Sequence, residues 1–194
     1  MPVRALIVDP AAPDALRLTE VPEPMAGSSQ VVIDVHHVSL NHGDLNDARS
    51  GRVPPGAVLG SDAAGVVAHS AADGSGPEVG TRVVALARGA FADRAAVEVD
   101  ALAEVPRSVD LSEAAALPVA GLAALRALRA VGPLLGRRVL ITGASGGVGQ
   151  FAVQLAARAG AYVIASVGSA DRGEGLATKG ADQVVARPGR FRRS

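Results

Sequence analysis

Apolar positions fall into two textures along this chain. Up to about residue 117 they form short β-rich runs separated by Gly, Pro, Asp and Ser, at residues 3–8, 31–38, 65–68, 82–87 and 95–99. Val31, Ile33 and Val35 alternate with Val32 and Asp34, the period of two that places one face of a strand against a core. Gly80-Thr81 leads into Val83-Val84 as a turn leads into a strand. The spacing predicts a barrel or sandwich, with no internal repeat and no low-complexity linker.

After Pro106 the pattern changes to helix and then to alternating strand and helix. Ser112-Glu113-Ala114 opens an Ala-rich helical stretch with Ser112 as its N-cap, and Pro118 interrupts it before a second helix over about 122–131. Residues 138–142 read as a buried strand, 148–159 as a helix and 161–167 as a second strand. Lys179-Gly180 reads as a helix end and 183–186 as a third strand. Val148, Phe151, Ala152, Leu155, Ala156 and Ala159 recur at steps of three and four, so one stripe lies on the sheet. The prediction is an α/β protein with a β-rich domain over 1–118 and a β-α-β nucleotide-binding unit within 119–194.

Bulk properties narrow the chemistry. The chain has 194 residues, 48% of them apolar and 20% charged, with a formal net charge of zero. Such a balance gives no field to attract nucleic acid or an anionic membrane, so the expected partner is a small neutral molecule. There is no cysteine, which removes disulfides, thiolate zinc sites and thiol nucleophiles. The first residues lack the uninterrupted apolar stretch of a signal peptide. Residues 114–135 are broken by Pro118, Gly121, Arg126, Arg129 and Pro133 and cannot span a bilayer. A cytoplasmic location is the expectation.

Between the first parallel strand and its helix stands Gly143-Ala144-Ser145-Gly146-Gly147-Val148-Gly149. Gly146 and Gly147 would let the backbone turn sharply and approach a pyrophosphate, while Gly149 would allow close contact of helix and strand. The helix start then offers unpaired N–H groups and a positive dipole end. A tight turn without ligand is the alternative, and the strand before and helix after favour the nucleotide. The second strand runs into Gly168-Ser169-Ala170-Asp171-Arg172. A strand-end carboxylate would select the ribose hydroxyl of NAD; Gly168 and Ser169 stand there instead, with Arg172 just beyond, which favours NADP(H). Ser169 would donate a hydrogen bond and Arg172 would pair the 2′-phosphate. A solvated Arg172 beside Asp171 is the alternative.

Taken with the first half, these residues resemble the medium-chain dehydrogenase/reductase family in its zinc-independent quinone oxidoreductase (zeta-crystallin-like) branch. The carriers are Val38-Ser39-Leu40-Asn41-His42-Gly43-Asp44, the run from Val58 through Gly60-Ser61-Asp62 to Val67, Val79-Gly80-Thr81-Arg82-Val83, Gly89-Ala90-Phe91-Ala92, Ala115-Ala116-Leu117-Pro118 with the residues up to Ala124, and the glycine loop. The resemblance implies an alcohol dehydrogenase GroES-like β-barrel domain and an incomplete Rossmann doubly wound parallel sheet, with the active site in the cleft between them. It also implies a homodimer. Where zinc-dependent relatives have a ligand Cys and a Gly-His-Glu segment, this chain has Asn41 and Gly60-Ser61-Asp62, so no metal site is expected.

In that branch hydride passes from NADPH to a quinone or conjugated enone. The resemblance places Asn41 toward the nicotinamide, its amide bonding cofactor or substrate carbonyl; a turn-stabilising amide is the alternative. His42 is the nearest imidazole and a candidate proton donor, although a solvent-facing turn histidine is the simpler reading. Asp44 is expected to be a buried acceptor for neighbouring loops rather than a general base. Relatives often carry Tyr near Asn46 and Thr at Ala123, close to the nicotinamide, and both hydroxyls are missing here. An enoyl-thioester reductase and a non-catalytic nucleotide-binding protein or inactive fragment remain alternative readings.

The resembling fold has the strand order 3-2-1-4-5-6, and this chain supplies three strands, so it is expected to be truncated at its C-terminus and to leave Leu140 and Ile141 at an open edge. The tail 187–194 holds four arginines without family likeness. Nucleic-acid contact and an early-ending reading frame are its two readings, and the second is favoured.

Overall fold

The computed structural model describes residues 1–186, so both readings of the tail lie outside the described residues. The chain forms two compact units, one spanning Met1–Val119 and the other beginning at Ala120.

The first unit is built on an antiparallel curled sheet. Its strands are β3 (Gln30–Ser39), β4 (Asp62–His69), β5 (Arg82–Leu86), β6 (Arg94–Glu98) and β7 (Leu102–Glu104), in the order β6-β3-β4-β5-β7. All five runs read from the sequence as strands are strands. A hairpin of β1 (Pro2–Val8) and β2 (Leu16–Pro22) leans on this sheet through bridges from Ala5 to Ala92 and from Ile7 to Val58. β2 and β7 escaped the sequence reading. β2 buries none of its residues fully, and β7 is only three residues long.

The alternation of the strands divides the unit's core. Ala63, Val67, Val83, Ala85, Ala95 and Val97 pack with Val31 and Ile33 on one face. Ala64 and Val84 turn to the other face and meet Leu111, Ala114 and Ala115 of α2 (Leu111–Ala115). Ser112 does not cap this helix, as its sequence suggested. Asp110 does, its carboxylate accepting from the Ser112 N–H at 2.7 Å, because the helix begins two residues earlier than expected. A break does stand at Pro118, since α2 ends at Ala115, but the second helix begins at Pro118 itself rather than at about residue 122. This proline is the first residue of α3 (Pro118–Ala130), where the missing N–H costs nothing.

The second unit is a parallel sheet of β8 (Arg138–Thr142), β9 (Tyr162–Val167) and β10 (Gln183–Ala186) in the order β10-β9-β8, which is the 3-2-1 half of a doubly wound fold. Between β8 and β9 runs α4 (Gly147–Arg158), whose Ala152, Val153 and Ala156 pack with Ile141, Val163, Ala165 and Val167. Two expectations need correction. Ile141 is in this core, so only Leu140, 61% exposed, is an open apolar residue of the edge pair. No helix ends at Lys179-Gly180. A single 3-10 turn at Asp171–Gly173 precedes a series of turns, because Gly173 and Gly175, the latter at φ +73°, break a helical path.

The closest backbone approach in the first unit fixes β3 against β4. A Cβ on Gly65 would lie 1.9 Å from the Asp34 carbonyl oxygen, next to an irregularity between Val35 and His37. Gly65→Ala must therefore push the strands apart, and the loss expected in a denaturant titration is about 2 kcal/mol or more. An unchanged midpoint would contradict that reading of the pairing.

Candidate functional site

Two groups of residues carry chemistry, one in each unit. In the first, β3 ends at Ser39 and the chain enters α1 (His42–Arg49). Asn41 is the N-cap and closes a capping box with Asp44. Asp44 Oδ2 accepts from the Asn41 backbone N–H at 3.2 Å, and the Asp44 N–H returns to Asn41, 3.1 Å from its carbonyl oxygen. The other Asp44 oxygen accepts from Ser61 Oγ at 2.7 Å. His42 is exposed at the first position of the helix and makes no hydrogen bond among the described residues.

The Asn41 side chain points its amide nitrogen at Asp62. Nδ2 donates to Asp62 Oδ2 at 2.9 Å, and the Val119 backbone N–H donates to Asp62 Oδ1 at 2.8 Å. Asp62 is completely buried and Asp44 nearly so, yet among the described residues no cation pairs with either. Burial pushes the Asp62 carboxyl above the ordinary carboxylate range; donors Asn41, Val119 and Ser39 oppose that shift, and nearby Asp44 adds to it. Asp62 was passed over in the sequence, where Gly60-Ser61-Asp62 was read only for its lack of metal-binding groups. The available signal was an ionisable residue opening the apolar run Ala63 to Val67.

Asp44 and Ser61, with Val58, Leu59, Arg88 and Gly89, line a hollow of about 500 Å³, within the range that holds small ligands. Among the described residues no three acidic or histidine side chains gather in a metal-binding group. No described helix is long and apolar enough to cross a membrane.

The second group is the loop from β8 to α4. Its turn is made at Gly143, at φ +65°, and not at Gly146 and Gly147 as the sequence suggested. The Ala144 N–H is tied to the Ser166 carbonyl at the end of β9, 3.1 Å away, and Gly146 N–H closes on Gly143 at 2.9 Å. The first helical bond runs from Gln150 N–H to Gly146, leaving the N–H groups of Gly147, Val148 and Gly149 among the orphan donors of the helix start. Ser145 is half-buried, and its carbonyl accepts from Gln150 Nε2 at 3.1 Å. Gln150 in turn accepts from Lys179, the one lysine in the sequence.

The glycines separate into those the chain itself requires and one it does not. A Cβ on Gly149 would stand 2.2 Å from the Gly143 oxygen and 2.7 Å from the Ala144 Cα, so the contact it permits is with the loop rather than the strand. A Cβ on Gly147 would meet only the Ala120 methyl at 3.8 Å, an ordinary contact. Gly147 is exposed, and the bare backbone and orphan N–H groups of the loop fit a dinucleotide's phosphates. Ala120 belongs to α3, and Ala123 lies exposed one turn further on.

At the end of β9, Gly168 is exposed and Ser169 half-buried. The Ser169 hydroxyl holds the Asp171 carboxylate below its ordinary range, with a smaller contribution from exposed Arg172. Asp171 is thus a neighbour of Ser169 as well as of Arg172.

A curled antiparallel unit followed by a parallel β-α-β unit with a glycine loop is the architecture of the medium-chain dehydrogenases/reductases. The family model for the alcohol dehydrogenase GroES-like domain matches residues 27–107. The chain is 40% identical over 155 residues to erythronolide synthase EryA2 of Saccharopolyspora erythraea, covering 79% of this chain and 4% of that one. It is 35% identical to the trans-enoyl reductase tazE of Aspergillus terreus, covering 93% and 66%. It is also 35% identical to a chloroplast envelope quinone oxidoreductase homolog of Arabidopsis thaliana, covering 88% and 56%. The quinone oxidoreductase structure from Coxiella burnetii superposes with a TM-score of 0.88 at 29% identity, over 95% of this chain and 62% of that one. A mycobacterial structure complexed with NADPH, Rv1454c, gives a TM-score of 0.85 at 31% identity, over 96% and 59%. The chain therefore spans about two thirds or less of each of these relatives. It belongs to the medium-chain dehydrogenase/reductase family and is quinone oxidoreductase-like.

Two outcomes follow for the glycines. Gly149→Ala is expected to lower stability despite the roughly 1 kcal/mol that Ala gains over Gly in a helix, because the clash is with fixed backbone. Gly147→Ala is expected to leave the melting temperature unchanged or higher while weakening NADPH binding in a titration; equal effects of the two variants would refute the division.

Asp62 gives a pH signature. Its folded-state pKa is raised, so the stability it contributes is present below the unfolded carboxylate pKa and lost as pH rises through the folded value. The melting temperature of Asp62→Asn relative to the native chain should accordingly climb with pH through that window. A difference that is constant or falls with pH would show that Asp62 is not a strained buried carboxylate.

Proposed function

We propose that this chain carries the substrate domain and part of the cofactor domain of an NADPH-dependent, zinc-independent reductase acting on a quinone or conjugated enone. The observation that carries the reading is the Asn41 amide. One Nδ2 hydrogen is committed to Asp62, and the other has no partner among the described residues. That second hydrogen would donate to the carbonyl oxygen of an α,β-unsaturated acceptor, a bond that strengthens as negative charge develops on the oxygen. When bound, NADPH supplies the hydride that such an acceptor takes at its β-carbon.

The chain's own residues supply binding and orientation. The N–H groups at the start of α4 hold the phosphates, with Gly143 setting the turn, Ala144 and Ser145 its floor, and Gly146, Gly147, Val148 and Gly149 the approach. Arg172 pairs the 2′-phosphate, Gly168 and Ser169 border the ribose, and Ala123 lies on the nicotinamide side. Asp44 keeps the start of α1 in place, and exposed His42 serves as the route for the proton from solvent.

A second reading is favoured by the trans-enoyl reductase relative: the acceptor is an enoyl thioester. For the cofactor, the ionised Asp171 beside Ser169 favours a ribose hydroxyl and so NADH.

The test is binding followed by turnover. Arg172→Ala should raise the NADPH dissociation constant about tenfold and change that for NADH by less than about twofold. With NADPH, free quinones and simple enones should be reduced faster than acyl-thioester enones, and Asn41→Ala should lower kcat by roughly 10-fold to 100-fold. Faster thioester reduction would select the second reading. NADPH protection without oxidation across all acceptors would leave only nucleotide binding.

A further inference from the structure

The hydrogen-bond pattern around β4 assigns a role to a residue outside the loop that bears Asn41. We propose that Asp62 is a positioning residue that sets which way round the Asn41 amide is held, with Nδ2 inward and its second hydrogen free for a substrate oxygen. The argument begins with the donor count. An ionised carboxylate accepts only, so an amide facing it must present nitrogen. Asp62 Oδ2 therefore dictates the amide orientation, and Oδ1 is held by the Val119 N–H, so the carboxylate cannot swing to follow another partner. No solvent reaches Asp62 to supply a substitute.

The groups facing Asp62 are few. α1 and its cap contribute Asn41 and Asp44, β3 contributes Ser39, β5 places Leu86 opposite, and α3 contributes the Val119 N–H. Asp44 is the ionisable member of that set. Its carboxylate is itself filled by Ser61 Oγ and the Asn41 backbone N–H, so it adds charge but no competing acceptor for Nδ2. Once Asp62 takes up a proton it becomes a donor as well. The amide then loses its constraint from Asp62, and by giving up the capping-box contact with the Asp44 N–H it can turn over and offer its oxygen, which repels the carbonyl it would otherwise bind.

This rests on the reading of Asn41 as a donor to substrate, but its test does not require turnover. The sequence contains two asparagines, Asn41 and Asn46, and Asn46 is exposed. Asparagine-selective ¹⁵N labelling of the full chain therefore gives two side-chain amide pairs, with Asn46 as an internal reference. The Asn41 pair is expected to show widely split hydrogens, one of them slow to exchange. On titration from about pH 8 to about pH 4 it should move with a midpoint above the ordinary carboxylate value, while Asn46 stays still. In Asp62→Ala, which keeps only two amide pairs, the Asn41 splitting should collapse to that of Asn46 with the backbone spectrum otherwise preserved. An Asn41 pair that is flat over this titration in the folded native chain, or unchanged in Asp62→Ala, overturns the proposal. If the amide behaves as expected and Asn41→Ala leaves turnover intact, the positioning stands and the substrate role of Asn41 falls.

Discussion

A carboxylate without water or a cation must be surrounded by donors, and that constraint organises the first unit. Asp62 sits at the start of the central strand β4 with no exposed surface. Its two oxygens draw in a side-chain amide from the cap of α1 and a main-chain N–H from the first turn of α3. Asn41, Asp62 and Val119, far apart in sequence, are thus joined within the first unit by one carboxylate. Asp44 repeats the logic one layer out, with Ser61 and the Asn41 N–H filling its oxygens. Such a network is costly when incomplete and specific when complete, and no buried side-chain polar atom among the described residues is left unsatisfied.

The second unit depends on main chain instead. Its loop is formed by a left-handed Gly143 and by Gly149, whose hydrogen stands where a methyl would strike the Gly143 oxygen. These two residues give the shape, and Gly147 leaves the surface bare. Lys179, through Gln150, holds the Ser145 peptide from behind. The candidate site in one unit is therefore fixed by side-chain acids, and the glycine loop in the other by backbone geometry.

Much of this was legible in the sequence because periodicity reports the type of element. Spacing marked β3 and α4 as elements but not their buried faces: Val32 is buried beside Val31 and Ile33, and α4 buries Ala152, Val153 and Ala156 while Val148 and Ala159, the two ends of the expected stripe, are exposed. β2 was not legible because it hides too little apolar surface to leave a pattern. Caps were misplaced by one or two residues: Asp110 and Ser112 are both good N-caps, and only the path of the chain selects between them. For the site, motif order located Asn41, Asp44 and the glycine loop. The partnership of Asn41 with Asp62 spans 21 positions, with α1 between them, so no local pattern encodes it.

Both cores are built largely from alanine and valine, and aromatic residues make up 2% of the chain. Alanine loses no rotamer freedom on burial, so ordering these interiors is cheap in side-chain entropy. Each methyl also contributes little transfer energy, and the elements must come nearly into backbone contact to exclude water. The result is a frame with thin walls and short reach, in which there is little slack to take up a bulkier neighbour. Adaptation to a new molecule is thereby directed to the exposed rim, where side chains can lengthen without prising the interior apart.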